Sequence, residues 1–156
     1  MLNKEIVEYF KDPASPTLII TVGNNLRADD GAGPYIASKL EEPPAGTLVL
    51  DAGENPENIV DDAVELFPAR AVMIDAADFG GTPGEVRFIP DELIPDNPLS
   101  THAFPLPVIT KIIRKDARCN VRFLGIQVKT IEMGADMSPE VTAASDELVK
   151  LILRKK

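Results

Sequence analysis

The chain has 156 residues, 44% of them hydrophobic and 26% charged, a balance suited to one globular domain with a real core rather than a disordered chain. A formal charge of −9, with Arg154, Lys155 and Lys156 as the one basic cluster, argues against a nucleic-acid partner. No apolar run reaches the ~20 residues that cross a bilayer, and the start MLNKEIVEYFKD lacks a secretion signal, so a cytoplasmic protein without membrane insertion is expected.

Leu2, Ile6 and Phe10 recur at the helical spacing of four and predict an amphipathic first helix. Thr17–Val22 (TLIITV) reads as a strand, followed by the glycine-rich turn GNNLRADDGAGP (Gly23 to Pro34). A helix over Ala32–Glu41 then carries Ile36 and Leu40 on one face, with Pro34 tolerated in its first turn. Thr47–Asp51 is a second strand. Asn55-Pro56 has the form of a cap and first-turn proline for a helix ending before Pro68. Arg70–Asp75 is a third strand, and the alternating Glu85–Ile89, set between prolines, reads as an edge strand. A proline-rich excursion runs from Phe79 to Ser100. A helix over Pro107–Lys115, with Ile109, Ile112 and Ile113, precedes a strand at Val121–Val128. Ser138-Pro139 opens a final helix through Val141, Ala144, Leu148 and Ile152, whose cationic end suits the helix dipole.

Three of the strands are near-continuously apolar, as expected of strands covered on both faces. Strand and helix alternate, which predicts a three-layer α/β domain over residues 1–156, with a mostly parallel sheet and one antiparallel edge. In such sheets sites form beyond the carboxyl ends of the strands. Asp29, Asp30, Asp51, Asp75 and the sole histidine, His102, are all expected on that rim. Each acid alone has an ordinary reading as a turn or cap residue, and a lone histidine before a helix is commonly structural. Together, two carboxylates and an imidazole suit a divalent metal, with zinc, nickel, iron and manganese all compatible. Without a cation, close carboxylates raise one another's pKa.

Competing chemistries fit less well. The glycines of the first loop do not follow G-x-G-x-x-G, and Asp29-Asp30 would oppose a pyrophosphate. Ser100 lies near His102, but nothing marks it as an activated nucleophile. Cys119 has no second thiol or histidine nearby and reads as structural. Gly31 and Gly33 admit two roles, close approach to a substrate or tight strand-to-helix packing.

The segments V-G-N-N-L-R-A-D-D-G-A-G-P, D-A-G-E-N-P-E-N, I-D-A-A-D-F-G-G-T-P-G-E, T-H-A-F-P-L and F-L-G-I-Q-V, in this order, resemble the nickel–iron hydrogenase maturation endopeptidases. The likeness runs over residues 17–154, with residues 1–12 as an additional N-terminal helix, and it points to the branch acting on hydrogenase-3-type large subunits. The resemblance implies a twisted five-stranded sheet between helices. It also implies an aspartyl-type processing endopeptidase that trims the C-terminal extension of a hydrogenase large-subunit precursor after nickel insertion. By motif, Asp30, Asp75 and His102 take the catalytic and metal-contacting positions, with nickel supplied by the precursor. Asp51 and Asp78 would then orient His102 or a water, and Phe79 to Ser100 could line the substrate groove. A monomer is expected, since no apolar surface stripe stands out. Two alternatives use the same residues: a nickel-binding checkpoint protein that inspects the precursor without cutting, and a small-molecule metallohydrolase.

Overall fold

Six consecutive buried residues, Thr17–Val22, form β1 near the middle of a five-stranded sheet. The computed structural model of the protein describes residues 2–94 and 105–154. Within them the order is α1 (Lys4–Lys11), β1, α2 (Ala32–Ser38), β2 (Thr47–Gly53), α3 (Val60–Glu65), β3 (Arg70–Ala77), β4 (Val86–Ile89), α4 (Leu106–Asp116), β5 (Asn120–Gln127) and α5 (Pro139–Leu153). The sheet order is β2-β1-β3-β5-β4, parallel throughout except for the antiparallel β4–β5 pair. The expected α/β architecture with one antiparallel edge is therefore observed.

Alternation along the central strands divides the core between the two faces. Ile19, Val72, Ile74, Leu124 and Ile126 join α1, α2 and α5 in one cluster. Leu18, Ile20, Met73, Val121 and Phe123 join α3 and α4 in the other. Burying both faces explains why β1, β3 and β5 are apolar almost without interruption. Strand β2 is only partly covered, as its edge position requires.

Several boundaries differ from the sequence reading for local reasons. Helix α2 stops at Ser38 rather than Glu41, because Lys39 N–H and Leu40 N–H bond to Ile36 and Ala37 carbonyls three residues back, tightening the end. Asn55 does not cap α3 with its side chain. A 3₁₀ turn at Pro56–Ile59 comes first, in which the Asn55 carbonyl accepts from Asn58 N–H at 2.9 Å. On α4, Ile109 and Ile113 are buried but Ile112 is 38% exposed, since it falls off the face set by the 3.6-residue period. Ser138 caps α5 as expected, its Oγ accepting from Val141 N–H. Cys119 is buried and burial raises its thiol pKa, in keeping with a structural role.

Candidate active site

Strand order and helix placement fix where a site can form. The chain leaves β1 toward α2 on one face of the sheet. From β3 it continues, through β4, to α4 on the other. The neighbouring strands β1 and β3 thus send their chain to opposite faces, and their carboxyl ends mark the crevice position usual for a site in an open α/β sheet. Asp30 follows β1 and Asp75 lies near the end of β3, so both acids stand at this crevice. A 3₁₀ turn at Ala28–Gly31, absent from the sequence reading, carries Asp30 and packs against β3.

Both carboxylates are buried, with Asp30 at 3% exposure and Asp75 at 2%. Asp30 Oδ2 accepts from Asn24 N–H at 3.1 Å. Burial pushes the Asp30 carboxyl up to about 6, against the lowering effects of that bond and of nearby Arg27. Asp75 lies well above the usual carboxylate range, first through burial and then through the charge of Asp30, with a bond from the Ala76 backbone opposing. Its Oδ1 is buried without a hydrogen-bond partner among the described residues. Asp75 feels the charge of Asp30, and two buried carboxyls so placed favour one of them staying protonated unless a cation compensates the charge. An unpartnered carboxylate oxygen is what a cation-accepting site leaves open. His102, the third expected member, lies outside the described residues. Among the described residues no group of three His, Cys, Asp or Glu side chains is placed to hold a metal ion.

The adjacent acid, Asp29, does something else. It is fully buried, and its carboxylate accepts from Lys129 N–H at 2.7 Å, Thr130 N–H at 3.0 Å, Ser138 N–H at 2.7 Å and Ser138 Oγ–H at 3.0 Å. This clamps the segment between β5 and α5 against the Asp30 turn. Its partners lie about a hundred positions away in the chain, so only the Asp-Asp doublet itself was visible in sequence.

Asp51 and Asp78 each accept one turn N–H from two residues on, as the turn reading expects, and one bond from a side chain of a neighbouring strand. Asp51 Oδ1 accepts from Thr21 Oγ1–H at 3.0 Å and Gly53 N–H at 3.2 Å. Asp78 Oδ1 accepts from Gly80 N–H at 3.2 Å and Gln127 Nε2–H at 3.1 Å. Gln127, the chain's one glutamine, was not singled out in sequence. Its buried Oε1 takes Phe79 N–H at 2.9 Å and Gly81 N–H at 3.0 Å, and so fixes the loop after Asp75.

For the glycines, the geometry favours packing. A Cβ on Gly33 would lie 2.2 Å from the Val22 carbonyl oxygen, and one on Gly31 would sit 3.0 Å from Asn25 Cα. Gly23 combines φ +148 with a Cβ position 2.0 Å from the Asp30 carbonyl oxygen, so the turn can close onto Asp30 only without a side chain. Gly33→Ala must push α2 off β1 and is expected to lower stability by about 3 kcal/mol. Urea unfolding midpoints against the parent chain check this.

Comparison with known proteins agrees with the geometry. The family model described as hydrogenase maturation protease matches residues 34–155. The hydrogenase 3 maturation protease of Escherichia coli K12 is 40% identical over 112 residues, covering 70% of this chain and 71% of the relative. A crystal structure of a hydrogenase 3 maturation protease superposes with TM-score 0.80 at 32% identity, over 92% of each chain. The nickel–iron hydrogenase maturation protease of Thermococcus kodakarensis KOD1 superposes with TM-score 0.84 at 26% identity, over 96% of this chain and 97% of that one. A matched family model spanning most of the chain, on a fold that superposes nearly end to end, establishes that this protein belongs to the hydrogenase maturation protease family.

Proposed function

We propose that the protein is an endopeptidase that removes the C-terminal extension of a nickel–iron hydrogenase large-subunit precursor, and that nickel already seated in the precursor is its recognition element. The observation that carries this reading is the buried Asp30–Asp75 pair, with one carboxylate oxygen left without a partner among the described residues, at the carboxyl ends of β1 and β3 in a chain of this family. Without a cation, burial and the charge of Asp30 favour Asp75 keeping its proton. A precursor bearing nickel brings the divalent charge that lets both carboxylates ionise in a dry site, and a precursor without it leaves the pair mismatched. Imidazole and carboxylate oxygens suit nickel, and His102 supplies the third contact. Helix α4 is joined to β5 by three residues, 117–119, so its first turn lies toward the same rim. With the precursor docked, water would add to the scissile carbonyl and the peptide C–N bond would break, a proton passing to the departing amine. Asp30, Asp75 and His102 would hold the precursor's nickel, which would supply either polarisation of that carbonyl or recognition alone, with a carboxylate as general base.

The setting we propose is a cytoplasmic monomer; none of the described helices is long and apolar enough to cross a membrane. Mass spectrometry of nickel-loaded and nickel-free precursor, after incubation with the chain, tests the function. Loss of a C-terminal peptide from the loaded form alone is expected. Equal cutting of both forms would remove nickel gating, and binding without mass loss would make the protein a checkpoint. His102→Ala is expected to slow processing by roughly 10³-fold while leaving the thermal midpoint within a degree or two of the parent.

A further inference from the structure

Among the exposed large apolar side chains of the described residues, two stand on the loops that build the site. Leu26 is 65% exposed and Met133 is 63% exposed. They come from segments about a hundred positions apart, yet Gly134 N–H donates to the Leu26 carbonyl at 2.8 Å and joins the loops side by side. Both loops are fixed. Leu26 N–H bonds to Asn24 Oδ1 at 2.8 Å, and Asn24 N–H in turn bonds to the Asp30 carboxylate. The Asp29 clamp and a bond from Asp29 N–H to the Thr130 carbonyl hold the other side. Exposure of these side chains is therefore built in rather than a consequence of slack loops. A groove of about 350 Å³ opens at Asn25, the neighbour of Leu26; Ala28, Pro34, Tyr35, Ser38 and Met137 are among its lining, neither Leu26 nor Met133 is, and Asp136 is its one charged residue. On a chain of net charge −9, a nearly uncharged groove flanked by apolar side chains selects for uncharged, apolar surface.

We propose that Leu26 and Met133 form an apolar lip that grips apolar side chains of the precursor polypeptide next to its scissile bond. The inference rests on the processing function proposed above, and the lip adjoins the Asp30 turn through Asn24, whose backbone N–H bonds the Asp30 carboxylate. Its continuity with that crevice, through Asn24 and the Asp29 clamp, assigns it to the same partner. Leu26 and Met133 are positioning residues here, acting on binding rather than on the chemical step.

The test compares steady-state cleavage of nickel-loaded precursor by the parent, by Leu26→Ser/Met133→Ser, and by Phe67→Ser. Phe67 is 76% exposed but lies just before β3, at the opposite end of the sheet, and serves as the control. The double variant is expected to raise KM about tenfold with kcat within about twofold, with an unchanged thermal midpoint; Phe67→Ser is expected to change neither constant. A photo-reactive benzoylphenylalanine in place of Met133 should cross-link within the residues flanking the cleavage point. Normal parent cleavage with an unchanged KM in the double variant would overturn the lip alone. Loss of self-association in that variant, with KM unmoved, would reassign the lip to a second copy and also overturn it. Failure of the parent itself to cut loaded precursor would overturn the function and the lip together.

Discussion

Asp75→Asn is expected to stop precursor processing and, at pH 7.5, to make the protein more stable. Both effects come from one buried oxygen. Asp75 Oδ1 has no hydrogen-bond partner among the described residues, and its carboxyl is raised by burial and by the charge of Asp30. The amide keeps the size but binds no proton in either state, so it removes the cost of keeping the native carboxyl protonated while the unfolded chain releases its proton, and the thermal midpoint at pH 7.5 should rise. The pH dependence has a definite sign. Asp30 and Asp75 both titrate above the unfolded carboxylate value of 3.8, Asp30 at about 6. As pH rises from about 4 through 6 and beyond, the unfolded chain has released protons that the native chain keeps, so parent stability falls across that window. The advantage of Asp75→Asn should be absent below pH 4 and grow toward neutrality. Cleavage of nickel-loaded precursor should fall by roughly 10³-fold, because the amide cannot compensate a divalent charge. A variant that lost activity and stability together at pH 7.5 would contradict this account of the site.

Asp29→Ala is expected to do the reverse to the fold, although Asp29 adjoins Asp30 in sequence. It strands the backbone N–H groups of Lys129, Thr130 and Ser138 and the Ser138 hydroxyl, all of which now donate to one buried carboxylate. Losing that acceptor costs about 4 kcal/mol, or about 12 °C in thermal midpoint for a chain of this size. The segment between β5 and α5 should loosen with it, seen as faster hydrogen exchange at residues 129–138. Asp30→Asn should leave that segment protected while removing activity. Equal destabilisation by the two substitutions would mean that the doublet acts as one unit rather than as a clamp and a site residue.

The frame of the molecule was legible because its signals are local. The limits of β1 were readable from a six-residue apolar run, and the Ser138-Pro139 cap from two residues. Strand ends were harder: β2 and β3 run on to Gly53 and Ala77, two residues past the acids taken as their ends, because small residues can continue a ladder that the pattern does not advertise. The 3₁₀ turns before α2 and α3 were missed for a related reason, since i to i+3 bonding leaves no distinct periodicity in so few residues. At the site, position on the rim could be read for Asp30 and Asp75 from strand ends and topology alone. The division of labour between Asp29 and Asp30 could not, because it depends on which carboxylate meets a loop a hundred residues away. Gln127 escaped for the same reason, as three of its four side-chain partners, Phe79, Gly81 and Asp78, are visible only once β3 and β5 lie side by side.

The coupling of Asp30 to Asp75 can be measured directly by following the two side-chain carboxyl carbons by NMR as pH is varied. Asp30 is expected to titrate at about 6 and Asp75 well above the ordinary carboxylate range, and Asp30→Asn should move the Asp75 midpoint down. Two independent titrations near pH 4, or an Asp75 midpoint indifferent to Asp30→Asn, would contradict a shared buried site.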